Sequence, residues 1–213
     1  MNHTQEPSYS LPQVRSHIIE VALNLFRKQG VRNVTMDDIA HRLGMSKRTL
    51  YQIFRDKEDL VLACVQQHDA KAEAEASRLF DKADNVLSFI MAFMQLRIQE
   101  IDQMQPSFFA DILKYQKVKV YFEQRNRKQE ATAVEMLDKG KEEGFFRGDV
   151  NFHIVYNNLV GSFETLLHSP GMEHISHREI FFNTAILYIR GCTTPKGMEI
   201  VDRFMPDIGN HAS

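Results

Sequence analysis

The sequence predicts an all-α protein, a small N-terminal three-helix domain carrying a helix-turn-helix followed by a larger helical domain. Three observations predict it. Apolar residues recur at helical spacing along most of the chain, with no lasting strand alternation. Gly and Pro fall mainly between these periodic segments. Charge is also divided: residues 12–57 hold nine Lys or Arg against four Asp or Glu, whereas residues 58–213 carry a net −6 and Glu6 a further −1. A basic head on an acidic body implies that one end meets an anion and the other has a different task. The division assigns residues 1–10 to a flexible tail, 11–57 to the head and 58–213 to the body.

The first helix is expected from Leu11 or Pro12 to Gln29, with Pro12 in the first turn and Gly30 just past the end. Val14, Ile18, Val21, Ala22 and Leu25 form its expected buried stripe. Thr35 caps the next helix, because Thr-Met-Asp-Asp (35–38) places a carboxylate three residues after the hydroxyl. That short helix buries Ile39, Ala40 and Leu43, and Gly44 ends it in a tight turn through Met45. Ser46 caps a third helix ending near Phe54 or Arg55.

A fourth helix starts at Lys57 or Glu58 and runs to about Arg78, its polar stretch DAKAEAEASR reading as an exposed rod. Further helices are expected at 85–102, from Pro106 to about Tyr115, and at 118–143 ending at Gly144, with Phe89, Phe93, Leu96 and Met104 apolar in this region. FFRGD (145–149) connects to two apolar helices at 150–168 and 177–190, separated by the breaker-rich SPGMEHIS. Beyond Gly191 the pattern is mixed, and MEIVDRF is expected to add a helical turn.

On a helical wheel, residues 46–54 separate into two faces. Leu50, Ile53 and Phe54 lie on one, and Lys47, Arg48, Tyr51 and Gln52 on the other. Two short helices joined by a Gly-containing turn, the second with a polar outward face, make a helix-turn-helix. Its second helix suits the major groove of DNA, where Arg bonds a guanine edge twice and Gln an adenine edge. The Thr35 and Tyr51 hydroxyls and Lys57 are placed to hold phosphates. The candidate DNA-binding set is Thr35, Ser46, Lys47, Arg48, Thr49, Tyr51, Gln52 and Lys57.

These residues carry a resemblance. IIEVALNLF, Gly30, Val34-Thr35, Ile39-Ala40, LGMSKRTLYQIF and KEDL, in order from Arg15 to Leu60, resemble the head of a TetR family transcriptional regulator over about a fifth of the chain. The resemblance implies that Thr35, Tyr51 and Lys57 contact phosphates and that Lys47, Arg48 and Gln52 face bases or backbone. Gln52 departs from the His or aromatic residue common at that position, and position 48 varies widely in the family.

For the body, the resemblance implies a helical ligand-binding and dimerisation domain whose last two large helices pair two protomers. Ile154, Leu159, Phe163, Leu166, Ile180, Phe181, Ile186 and Leu187 supply more apolar surface than one helix needs for its own core. Phe89, Met91, Phe93, Met94, Phe108, Phe109, Tyr115, Phe122 and Tyr156 are candidates to line an effector pocket, with Gln95, Arg97 or Asn158 as polar contacts. The expected partners are a double-stranded DNA operator, a second copy of the chain and a small-molecule effector, with no cofactor.

The composition argues against other classes. No apolar run approaches the ~18 residues of a membrane span. The polar N-terminus does not read as a secretory leader. Cys64 and Cys192 lack metal-ligand spacing and read as reduced thiols of a cytoplasmic protein. His68-Asp69 reads as a solvated pair, and the loop histidines His168, His174 and His177 do not make a defined metal site. No phosphate loop or nucleophile elbow appears, so an enzyme is not expected. The alternative is a helical interaction module with a non-functional head, against which the intact Lys47, Arg48, Tyr51 and Lys57 set weighs.

Overall fold

The computed structural model describes residues 10–102, 107–167, 169–172 and 174–209, with 206–209 as backbone. The expected tail over residues 1–9, Met104, the helix start at Pro106, and His168 lie outside the described residues. The helices are α1 (Leu11–Gln29), α2 (Met36–Arg42), α3 (Lys47–Ile53), α4 (Lys57–Lys82), α5 (Val86–Asp102), α6 (Ser107–Ile112), α7 (Gln116–Glu142), α8 (Phe152–Leu167), α9 (His177–Cys192) and α10 (Pro195–Gly209). The isolated bridge between Phe146 and Thr193 is the single β contact among the described residues.

The chain divides into two compact units, Met1–Ala70 with Ser107–Tyr121, and Lys71–Pro106 with Phe122–Ser213. The division falls within α4, thirteen residues beyond the head boundary read from the sequence at residue 57, and α6 and the start of α7 join the head.

In the first unit, Ser10 opens α1 by donating its amide to the Gln13 side chain at 2.9 Å. The buried face of α1 is Ile18, Ile19, Ala22, Leu23 and Phe26. Val14, Val21 and Leu25, expected in the stripe, sit half-buried at its margin, so the face is turned by about one residue. The Thr35 cap forms as expected: its hydroxyl accepts from the Asp38 amide at 3.2 Å, and its own amide donates to Asp38 at 2.8 Å. Met36, Ile39 and Ala40 carry the burial of α2, and Leu43 is half-buried. Gly44 then takes φ 65°, a left-handed conformation that an L side chain resists, and the Met45 amide returns to the Ala40 carbonyl at 3.0 Å. Cys64 is a free, buried thiol held against the Ile19 carbonyl, and burial pushes it far above its ordinary pKa.

The second unit is a helical bundle in which α5 packs against both α9 and α10, and α8 packs on α9. Its core gathers Leu87, Met91, Met94 and Ile98 of α5 with Phe146, Phe152, Ala185, Ile186 and Val201. Gly140 of α7 is needed for close approach: a Cβ there would lie 2.6 Å from the Phe146 ring. The FFRGD connection is therefore pinned rather than loose, with the Arg147 amide donating to the Cys192 carbonyl at 2.8 Å.

The segment after Gly191 corrects the sequence reading. It forms a full fifteen-residue helix, α10, rather than a turn. Thr194 accepts from the Gly197 amide at 3.2 Å, Pro195 occupies the first helical position, and Val201 is fully buried.

Candidate nucleic-acid interface

The interface is built on α3. Ser46 accepts from the Thr49 amide at 3.1 Å, and the two hydroxyls bond at 2.8 Å. Leu50 is fully buried and Phe54 nearly so, anchoring the inner face, while Ile53 is only half-buried. The Arg15 guanidinium lies 5.0 Å from the centre of the Phe54 ring, a cation–π contact that ties α1 to the end of α3.

The outer face presents Lys47, Arg48, Thr49, Tyr51 and Gln52, all exposed, with Tyr51 at 48%. Arg48, Tyr51 and Gln52 make no intramolecular side-chain bond among the described residues. A rigid, capped helix thus carries a cation, a phenol and an amide ready for an outside partner. Lys47 differs from them, because its ammonium is paired with the carboxylate of Asp37 on α2.

The remaining candidates are already engaged. The Thr35 hydroxyl donates to Asp38 at 2.6 Å, so donating to a phosphate requires it to leave that bond. These hydrogen bonds hold the Asp38 carboxyl below its ordinary pKa. Lys57 donates to the Val31 carbonyl at 2.6 Å and stands 6.0 Å from the Phe26 ring centre. Partial burial pulls its pKa down, with Asp111 and Asp38 opposing that shift. Two ammonium hydrogens of Lys57 remain for other acceptors.

The sequence did not mark two features of this unit. One is Asp37. The other is the segment 107–121, whose attachment to the head is long-range and leaves no local pattern. Asp111 is buried and accepts from the Arg32 amide at 3.3 Å and from Lys114 at 2.8 Å. Burial acts to raise its pKa, but the Lys114 and Arg32 bonds outweigh that, leaving it lowered. Lys117 donates its amide to Glu58 at 2.9 Å and pairs its ammonium with Asp59. Arg32, Lys57, Asp111, Lys114 and Tyr115 line a 380 Å³ recess.

The candidate effector residues divide between the two units. Phe108, Phe109 and Tyr115 belong to the first, where Phe108 and Phe109 meet edge to face at 5.8 Å. Phe89, Phe93, Met94, Arg97, Phe122 and Tyr156 belong to the second. There Phe89 packs on Phe80 at 5.3 Å and stacks on Phe93 at 5.9 Å, Met94 lies in the bundle core, and Arg97 is paired with Glu100. Arg125 lies over the Phe122 ring at 4.4 Å. Asn158 lines a polar recess of 440 Å³ on α8 with Gly161, Ser162 and Thr165.

The candidate dimer residues also separate. Ile180 and Ile186 are buried within the protomer, and Leu159 and Phe181 pack against its core. Phe163 meets Phe181 edge to face at 5.4 Å, and Leu166 is half-buried. Ile154 on α8 and Leu187 on α9 remain 59% and 72% exposed. No helix is long and apolar enough to cross a membrane among the described residues.

Residues 18–64 match the family described as bacterial regulatory proteins, tetR family. The HTH-type transcriptional repressor KstR2 of Mycobacterium tuberculosis is 28% identical over 147 residues, which span 67% of this chain and 74% of that protein. The solved structure of KstR2, described as a ketosteroid transcriptional regulator, superposes with a TM-score of 0.57 at 24% identity, covering 85% of this chain and 95% of that one. A TetR family transcriptional regulator from Agrobacterium tumefaciens superposes with a TM-score of 0.69 at 15% identity, covering 87% of this chain and all of the other.

Proposed function

We propose that this chain, whose residues 18–64 match the tetR family, is a DNA-binding transcriptional regulator of that family and acts as a repressor. It binds a two-fold symmetric operator as a homodimer in the cytoplasm and is released by an apolar small molecule. The observation that carries the DNA reading is the outer face of α3, where Arg48, Tyr51 and Gln52 stand exposed on a helix fixed by its Ser46 cap and its Leu50 and Phe54 anchors. Arg48 and Gln52 read base edges, and Tyr51 holds a phosphate. Lys57 reaches the backbone with its remaining donors, and Thr35, Ser46 and Thr49 contribute chiefly by fixing the two short helices.

A seven-residue recognition helix reads few base pairs, so two heads on one duplex gain the specificity that one lacks. The exposed Ile154 and Leu187 support a second copy as the partner, since apolar side chains on a helical face gain most by meeting a like face. The name of KstR2 supports repression, and its description as a ketosteroid regulator supports an apolar effector. The aromatic cluster of Phe80, Phe89 and Phe93 offers suitable surface in the body. Such an effector needs to favour one of two head arrangements by about 1–3 kcal/mol. The 107–121 segment is the means of delivery. It packs with the head, while the chain on both sides of it belongs to the body.

Titration of a selected duplex at several salt concentrations tests the proposal. Affinity should fall steeply as salt rises, because phosphate contacts release counterions. Affinity independent of salt would refute it.

A further inference from the structure

We propose that Asp37 makes Lys47 a reader of base edges rather than a cation for phosphates. The inference rests on the DNA-binding reading of α3 and deepens it. Lys47 is the first residue of α3, and Asp37 lies in the first turn of α2. Their charged groups meet across the helix-turn-helix, with side chains 63% and 53% exposed. The neighbouring Asp38 is occupied by Thr35 and closes the cap of α2. Asp37 has no such duty, and its one charged partner among the described residues is Lys47.

The pair has consequences for each mode of DNA binding. Binding without sequence preference rests on cations that replace condensed counterions along the phosphates. A Lys–Asp pair is locally neutral, so in this mode Lys47 adds little. Sequence-specific binding makes a different demand. A lysine ammonium has three donors. Asp37 takes one and fixes the nitrogen at the start of α3, leaving two for acceptors. The adjacent N7 and O6 of a guanine offer two acceptors on one edge in the major groove. Holding the ammonium also removes rotamer freedom from a long side chain before DNA arrives, which lowers the ordering cost of the specific contact. Asp37 is thus a positioning residue for Lys47. Arg48, which has no carboxylate partner among the described residues, is left as an unneutralised cation on that face.

The test uses the full chain, a duplex selected by the wild-type protein, and a random duplex of equal length. Asp37→Asn should bind the random duplex about three- to tenfold more tightly at ~0.1 M salt, and its plot of log affinity against log salt should steepen by about 0.9. The ratio of selected to random affinity should fall accordingly. Lys47→Ala should weaken the selected duplex by about tenfold or more while leaving the random-duplex salt slope unchanged. The role of Asp37 is overturned if its substitution weakens both duplexes equally, or if Lys47→Ala flattens the random-duplex slope by about one. Far-UV circular dichroism shows whether each variant is folded, and Lys47→Ala decides the matter even where Asp37→Asn is not. A wild-type protein that selects no duplex would instead overturn base reading by α3 altogether.

Discussion

Among the described residues, α3 and the α8–α9 pair each expose side chains that meet no partner inside the protomer, in opposite chemistry. On α3 the exposed side chains without such a partner are Arg48, Tyr51 and Gln52, hydrogen-bonding groups on a short, capped helix. On α8 and α9 it is Ile154 and Leu187, apolar groups on helices of sixteen residues each. An exposed cation or phenol is already satisfied by water, so its arrangement matters only to a partner that offers charge and acceptors in a pattern. An exposed leucine is not satisfied by water, and another apolar face is the partner it favours. On the proposed function, the difference teaches that α3 serves selectivity, whereas α8 and α9 serve adhesion.

The sharpest way to break this comparison is to remove the support of one face while leaving its chemistry intact. Leu50→Ala should cost about 2–5 kcal/mol, because the side chain is fully buried beneath α3. Chemical denaturation should show the head unfolding early, and DNA affinity should fall with every contact residue still present. Next in size, Leu187→Glu places a charge on the proposed dimer face. It should weaken self-association by roughly 2 kcal/mol without loss of helix, read by sedimentation. A variant that remains as strongly associated as the wild type would remove α9 from the interface.

Smaller effects sharpen the comparison within α3. Arg48→Ala should weaken the selected duplex by about 1–3 kcal/mol and relax preference at one base pair. Tyr51→Phe should cost about 1 kcal/mol and weaken all sequences alike, since a phosphate contact carries no sequence information. Competition binding with single-base variants of the duplex separates these outcomes. Smallest is the cap. Thr35→Ala should destabilise the head by about 1 kcal/mol in thermal melts at neutral pH. Asp38 has a lowered pKa in the folded state, so its contribution is present above the ordinary carboxylate range and is lost as pH falls through the folded value. Thr35→Ala should therefore reduce the dependence of stability on pH in that acid range.

The head was legible in the sequence because its determinants are local. Thr35 with Asp38, Met45 with Ala40, and Ser46 with Thr49 are bonds between residues a few positions apart, and each leaves a short pattern. The inner face of α1 was less so. Val14 and Leu25 satisfy a helical period as well as Ile19 and Phe26 do, and only packing chooses between them. The α10 helix was read as a turn because Pro195, Gly197 and Pro206 interrupt its pattern. The Thr194–Pro195 start was there to be seen as a cap followed by a first-turn proline. Contacts such as Asp111 with Arg32 and Lys117 with Glu58 join residues 79 and 59 positions apart, and no local pattern encodes them. The same holds for the aromatic residues of the body. Phe89 and Phe108 are apolar at helical spacing whether they line a cavity or fill a core.

The central claim is that the outer face of α3 reads sequence, twice, through a dimer. Selection of bound duplexes from a random pool by the wild-type protein tests it most directly. The expected result is a two-fold symmetric sequence whose half-sites lie about one helical turn, or a multiple of one, apart. A pool that remains random after repeated selection would contradict it.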